Sequence, residues 1–254
     1  MNVDQLFESL STIATGDLTF WQKTFMRFYR AGFEADRWKS YFKGLGVTLQ
    51  VTVIALLIGI VLGVLVAVVR VAHDQQYGKR NFFLGMANAI CKAYVTIIRG
   101  TPMTVQLLIW GLVIFASSRE FNLVGALGLG INSGAYVAEI IRGGLMSLDP
   151  GQAEAGRSLG LGYTDTMRFI VIPQAFKAIL PALGNEFIIL LKDTSLLTVI
   201  AGKEIVYFAK SIGAGTYDYM FPLLITAVMY LIMVLAFSWL QSKLERRLRE
   251  SDRR

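Results

Sequence analysis

The chain has 254 residues, of which 54% are hydrophobic and 17% charged, and it carries a net charge of +7. With a positive mean hydropathy, that composition excludes an ordinary soluble domain of this length and places the chain in a bilayer. The basic residues are spread over leader, loops and tail, as membrane topology requires, which argues against nucleic acid as a partner.

Residues 1–44 read as an N-terminal leader. It opens on acidic and polar residues and lacks an apolar core long enough for a cleavable signal peptide, so it is expected to stay in the mature protein. From Leu18 to Phe42, the aromatics Phe20, Trp21, Phe25, Phe28, Tyr29, Phe33, Trp38 and Tyr41 interleave with Lys23, Arg27, Arg30 and Arg37. That is the composition of a helix lying in the membrane interface, with lipid as its partner.

A transmembrane domain over 45–245 follows, then a basic cytoplasmic tail over 246–254. Val47–Val69 is free of ionisable side chains, and at about 1.5 Å per residue it exceeds the roughly 30 Å of hydrocarbon. Further ion-free windows run over Gly100–Ser118, Phe121–Ala138 and Tyr219–Ser242, and Ala178–Ala201 is interrupted only by Glu186, Lys192 and Asp193. Five spans are expected. Phe82–Ile98 is read as a cytoplasm-side extension of the second, bending at Gly100 and Pro102, because Lys92 and its short length weigh against a sixth crossing. Gly59 and Gly63 in the first span, with Gly125, Gly128, Gly130 and Gly134 in the third, predict close helix approach.

The tail holds Lys243, Arg246, Arg247, Arg249, Arg253 and Arg254, and the loop after the first span holds Arg70, Lys79 and Arg80. Both are expected in the cytoplasm. An odd span count then puts the N-terminus outside, although Arg30, Arg37, Lys39 and Lys43 beside the first span pull the other way.

Between the third and fourth spans lies a polar hairpin, 148–173. Asp149 is a candidate N-cap, Pro150 takes the first helical position, Gln152 would complete a capping box, and Gly160 supplies a left-handed stop. A second helix is expected from Thr164, with Asp165 in its first turn. Such a polar element between membrane-grade segments implies a cytoplasmic partner.

Charges inside spans cost about 2.5–3.5 kcal/mol each on the insertion scale and mark a pathway or a partner. Glu139 and Arg142 share a helix face and either pair with each other or serve the pathway. Pro181, Asn185, Ile188 and Lys192 share one stripe, beside Glu186 and Asp193. Lys192-Asp193-Thr194-Ser195 reads as a break, with Asp193 or Thr194 capping a further helix over Lys203–Ile212. For a zwitterionic solute, Arg99, Lys192 and the backbone of Gly100 and Thr101 suit a carboxylate, and Glu139, Glu186 or Asn185 suit an ammonium. The same groups could instead form an internal salt-bridge and hinge network.

Cys91 stands alone, and His73, the single histidine, sits beside Asp74. Neither a catalytic triad, a zinc-protease motif nor a phosphate-binding glycine loop is present. The chain is therefore expected to bind no cofactor of its own.

Glu154-Ala155-Gly156-Arg157-Ser158-Leu159-Gly160 followed by Ile170-Val171-Ile172-Pro173 resembles the EAA loop of the permease subunits of ATP-driven bacterial importers. Gly156 replaces the usual third-position Ala, at about 1 kcal/mol of helix propensity. Arg99-Gly100-Thr101-Pro102 with Gln106-Leu107, Ser133-Gly134-Ala135-Tyr136 with Ala138-Glu139 and Arg142-Gly143-Gly144, Leu191-Lys192-Asp193-Thr194-Ser195-Leu196, and Leu244-Glu245-Arg246-Arg247-Leu248 are similar to the polar amino acid branch. The resemblance covers about residues 41–250. It implies an all-α, five-span fold of the type I importer class in the bacterial cytoplasmic membrane. It also implies that Glu154, Ala155, Gly156 and Gly160 contact a separate ATP-binding cassette ATPase subunit that holds ATP and Mg, that an amino-acid-binding protein docks outside, and that a second permease completes the pathway. The rivals are an importer of another small polar solute and a self-sufficient secondary carrier, the latter of which would more naturally show internal repeats.

Overall fold

Val47–Val69 is the centre of a much longer helix. In the computed structural model, which describes residues 3–12, 18–76 and 81–252, α3 runs over Arg37–Asp74, about 57 Å at 1.5 Å per residue. Before it come α1 (Val3–Ser11), α2 (Phe20–Gly32) and a short 3-10 turn at Glu34–Asp36. After it come α4 (Phe82–Gly100), α5 (Met103–Leu108, continued by π-turns over Ile109–Ile114), α6 (Phe121–Met146), α7 (Pro150–Ser158) and α8 (Tyr163–Thr166). A π-turn joins α8 to α9 (Ile172–Asp193), which passes through a 3-10 stretch, Thr194–Ile200, before α10 (Ile205–Thr216) and α11 (Met220–Asp252). Of the basic residues used to orient the chain, Lys79, Arg80, Arg253 and Arg254 lie outside the described residues.

Among the described residues, five helical stretches are long and apolar enough to cross a membrane: Glu34–Asp74, Phe82–Gly100, Phe121–Met146, Tyr163–Ile200 and Met220–Leu248. The count matches the expectation, but the second crossing divides differently. Phe82–Gly100 is the crossing helix, 19 residues or about 28 Å long, and the ion-free window after it holds only the shorter helix Met103–Ile114. The bend falls at Gly100 and Pro102, as expected, because proline cannot donate to the preceding turn. Lys92 lies on an exposed face of α4, and with it included the stretch is still long and apolar enough to cross.

α3 and α6 form the tightest seam, and their small residues are the reason. A Cβ on Gly59 would stand 2.8 Å from Ser133 Oγ, and one on Gly63 2.5 Å from Val137 Cγ1. Reciprocally, one on Gly130 would meet Ile58 Cβ at 2.7 Å and one on Gly134 would meet Leu62 Cβ at 2.9 Å. Backbone contact between these two helices replaces the side-chain interdigitation of a water-soluble core. Val51, Ala55, Leu107, Leu129, Leu190 and Leu197 fill the space where α3, α5, α6 and α9 meet.

The break after α9 is present but capped differently from the expectation. Asp193 and Thr194 make no N-cap bond, and the Thr194 hydroxyl donates back to Leu191 O at 2.8 Å. The cap of α10 is Glu204: its Oε1 accepts from Tyr207 N at 3.0 Å, and Tyr230 on α11 donates its hydroxyl to Oε2 at 2.9 Å. Glu204 is fully buried, so this cap also pins α10 to α11. α10 in turn lies against the leader end of α3, where a Cβ on Gly44 would meet the Ile205 backbone at 2.7 Å.

Candidate functional site

The polar hairpin is built by its caps. Asp149 Oδ1 accepts from Gly151 N at 2.9 Å, and Pro150 occupies the first turn of α7. The helix ends with Gly160 N donating to Arg157 O at 2.9 Å and Leu161 N donating to Gly156 O at 3.1 Å. These two bonds make a Schellman motif, and Gly160 holds the left-handed conformation it requires, with φ +81°. The second arm starts at Tyr163, one residue earlier than expected, with Asp165 in its first turn.

Two details differ from the sequence expectation. Gln152 does not close a capping box; its Oε1 accepts from Gln174 Nε2 at 3.1 Å, tying α7 to α9. Gly156 is a contact position as well as a weak helix former: a Cβ there would meet Ile170 Cδ1 at 2.9 Å and Thr166 Cγ2 at 3.0 Å. The two arms therefore close on each other at the residue that departs from the family's alanine.

Glu154, Ala155 and Gly160 are exposed on the outside of the turn. Between them the turn presents Leu159, 82% exposed, which sequence reasoning passed over. Its signal was a leucine set between Ser158 and Gly160 at the turn of the hairpin. Tyr163 donates its hydroxyl to Gln75 Oε1 at 2.6 Å, which fixes the hairpin at the Asp74 end of α3.

The intramembrane candidates separate into three groups. Arg99 is exposed, with its guanidinium carbon 5.1 Å from the centroid of the Tyr136 ring. Beside it Gln106 Nε2 donates to Ile98 O at 2.8 Å, Thr101 O at 3.1 Å and Thr101 Oγ1 at 2.8 Å, while Gln106 Oε1 accepts from Asn132 Nδ2 at 3.1 Å. Gln106 thus ties off the carbonyls freed at the Gly100–Pro102 bend. Gly100 itself stands in open space.

Glu186 is only 5% exposed and accepts from the fully buried Ser133 hydroxyl at 2.7 Å. Asn185 and Lys192 are exposed, while Ile188 on the predicted stripe is buried. The α9 stripe is therefore narrower than the sequence suggested: Asn185 and Lys192 share its open face, and Glu186 turns inward against α6.

Glu139 pairs with Arg142 at 3.1 Å and also with Arg70 of α3. Of the candidate carboxylates it is the one already held by two guanidinium groups, bracing α3 to α6 near the hairpin end. Arg70 had been read only as a loop cation. Among the described residues no three His, Cys, Asp or Glu side chains come together as metal ligands.

Comparison with known proteins agrees with this architecture. Residues 80–250 match the family model of the binding-protein-dependent transport system inner membrane component. The chain is 34% identical to the arginine transport system permease protein ArtQ of Bacillus subtilis, over 83% of this chain and 93% of that one. It is 36% identical to the glutamine transport system permease protein GlnP of Escherichia coli, over 82% and 92%. Among solved structures, an amino acid ABC transporter crystallised with histidines superposes with a TM-score of 0.74 at 41% identity, over 82% of this chain and 94% of that one. The inward-facing MetNI methionine ABC transporter, at 19% identity and a TM-score of 0.69 over 85% and 99%, shares the fold. This five-span helical chain has the type I importer fold and belongs to the family of binding-protein-dependent transport system inner membrane components.

Proposed function

We propose that the chain is the permease subunit of an ATP-driven importer that carries a polar amino acid across the bacterial cytoplasmic membrane. The N-terminus lies outside and the C-terminus in the cytoplasm. ATP and Mg sit on separate cassette ATPase subunits, an amino-acid-binding protein delivers solute from outside, and a second permease, identical or homologous, completes the pathway. The observation that carries this reading is the hairpin, a glycine-turned knob with exposed Glu154, Ala155 and Leu159 that has no evident task within the chain. The family membership and the amino acid transport relatives support the solute class.

The mechanism follows from one continuous rod. The hairpin's second arm, the π-turn, α9 and the 3-10 stretch run together over Tyr163–Ile200. Glu186 lies 23 residues along it from Tyr163, about 35 Å away at 1.5 Å per residue. Closure of the ATPase pair on the hairpins moves the base of this rod, and the displacement reaches Asn185, Glu186 and Lys192 without a flexible joint of loop. There Lys192, with Arg99 and the open backbone at Gly100 and Thr101, meets the solute carboxylate, and Asn185 meets its ammonium. Ser133 holds Glu186 as the inner wall.

The test is reconstitution of the permease with its ATPase in proteoliposomes and uptake of a panel of labelled amino acids presented on their binding proteins. ATP-dependent uptake of one polar amino acid is expected. Uptake that runs on an ion gradient without the ATPase overturns the reading. Cysteines at Ser9 and Ser251 in a Cys91→Ser background are expected to react from opposite sides of the membrane, and reaction of both from one side overturns the orientation.

A further inference from the structure

The described residues of the leader form helices that pack onto one place. Its α2 packs against the turn between α10 and α11: Arg27 Nε and Nη2 donate to Asp218 Oδ2 and Oδ1 at 2.6 and 2.9 Å, and the Phe28 and Phe221 rings meet edge-on at 6.1 Å. α1 closes from the other side, where Phe7 stacks on Tyr29 at 4.4 Å and the Tyr29 hydroxyl donates to Asp4. The chain then returns, with the Tyr41 hydroxyl donating to Ala31 O at 3.2 Å. This assembly sits at the Arg37 end of α3, whereas the hairpin sits at the Asp74 end.

These contacts fix the depth of the leader. Asp218 is the last charge before the ion-free window of α11, which opens at Tyr219, and Lys43 is the last before that of α3, which opens at Val47. An α2 bonded to Asp218 and packed on Phe221 therefore lies level with the edge of the hydrocarbon. Its helical positions divide by chemistry: Trp21, Phe25 and Phe28 fall on one side of the wheel and Lys23, Arg27 and Arg30 on the other, with Phe20 at the boundary beside Arg27. Phe20 is 73% and Trp21 77% exposed, and Trp38 and Phe42 stand exposed on the first turns of α3 at the same level.

A soluble linker has no reason to fold two helices onto this turn and leave its largest aromatics uncovered. We infer that α1, α2 and the first turns of α3 form a lipid-seated clasp: Phe20 and Trp21 insert among the lipid at the membrane surface opposite the hairpin, and Arg27 holds the α10–α11 turn to that surface. The occupant of the exposed aromatic face is the bilayer, because the face stands at bilayer depth and carries the aromatic and basic composition of membrane-surface helices. The inference goes beyond the transport reading and stands whatever solute is carried.

The chain has four tryptophans, so Trp38→Phe, Trp110→Phe and Trp239→Phe together leave Trp21 as the sole emitter. The full-length protein is placed in nanodiscs of phosphatidylcholine and phosphatidylglycerol, with plain chains or with bromine near the top of the acyl chain. Trp21 emission is expected to be roughly halved by the brominated lipid and little changed by aqueous iodide. Strong quenching by iodide with none by brominated lipid makes the leader a water-facing linker and overturns the inference. Protection from both quenchers makes the face a protein interface, with a second permease or a binding protein, and overturns it equally. Because the triple tryptophan variant can fail to fold, a spin label on Phe20→Cys in a Cys91→Ser background gives the same decision from its relative collision with oxygen and an aqueous nickel chelate. Accessibility dominated by nickel overturns the inference, and so does accessibility to neither reagent.

Discussion

Replacing Gly160 offers the cleanest measurement of the hairpin, because the site isolates backbone conformation from packing. Gly160 has φ +81°, and a Cβ built there meets nothing within 4 Å. Any cost of a side chain is thus the cost of the left-handed backbone alone, about 1–2 kcal/mol for an ordinary L-residue and least for asparagine. Gly160→Asn should therefore be nearly silent, Gly160→Ala intermediate, and Gly160→Val, with its branched Cβ, the most severe. A penalty of 1–2 kcal/mol shifts the ratio of formed to relaxed turn by a factor of roughly 5–30. The two Schellman bonds to Arg157 O and Gly156 O are lost in the relaxed form, so the exposed row Glu154, Ala155 and Leu159 no longer presents one surface. The readout is binding-protein-stimulated ATP hydrolysis in proteoliposomes, normalised to permease inserted. Insertion and thermal stability of the spans should stay unchanged across the series. Equal coupling for the asparagine and valine variants would refute the reasoning, since it would show that the turn geometry is not what the partner reads.

Four further outcomes are expected. Lys192→Met should reduce uptake about tenfold or more while the complex with the ATPase still purifies intact, as removal of an intramembrane charge from a pathway predicts; uptake at the unaltered rate would remove Lys192 from the pathway. Ser133→Ala should lower thermal stability in detergent by about 1–3 kcal/mol, because the buried Glu186 carboxyl loses its hydroxyl donor. Gly63→Ala should cost a similar 1–3 kcal/mol by overpacking, since the new methyl falls 2.5 Å from Val137 Cγ1 and 3.0 Å from Ala138 N. The Arg27 guanidinium holds the Asp218 carboxyl below its ordinary value. The contribution of this pair to leader docking is thus fully present above about pH 4 and is lost as pH falls through the depressed value. Trp21 anisotropy should stay flat from neutrality to that point and fall below it in a way Asp218→Asn abolishes.

Local chemistry was legible in the sequence wherever it is settled within a few residues. The ion-free windows gave the number of crossings, Asp149 and Pro150 the start of α7, Gly160 its end, and the glycines of the first and third spans the closest seam. Pairings between distant segments were not legible. Arg70 reaches Glu139 across 69 positions and Arg27 reaches Asp218 across 191, and nothing local distinguishes these arginines from other loop cations. Glu204 was missed as a cap because serine, threonine, asparagine and aspartate dominate that position, and only burial beside Tyr230 makes the longer side chain suitable. Gln152 misled for the same reason: the spacing fits a capping box, but α9 packs close enough to offer Gln174 instead. The second crossing divides differently because Lys92 and the short length were weighed against α4, whereas 19 residues with so few charges are long and apolar enough to cross.

The uneven packing of the spans bears on where the proposed transport movement is absorbed. Along the α3–α6 seam, side chains at Ser133 and Val137 already touch the backbone of α3, and Glu139 is locked between Arg70 and Arg142. Sliding these helices past each other would cost contacts at every turn, so on the proposed reading they move as one body. α9 packs on that body through Ile179 against Gly144 and Leu190 in the shared core, and through the buried hydrogen bond from Ser133 to Glu186. Beyond that point the regular helix ends at Asp193, and the chain turns at Ala201, which has φ 59°, before Glu204 fastens α10 to α11. Another irregular place is the bend at Gly100 and Pro102, where Gln106 bonds the freed carbonyls. On the proposed reading, displacement applied at the hairpin emerges at the 194–204 segment and the 100–106 bend. These flank the residues proposed to meet the solute, Lys192 on one side and Arg99 on the other. The glycine-lined seam gives the rod something rigid to move against, and the two irregular segments give the movement its site of action.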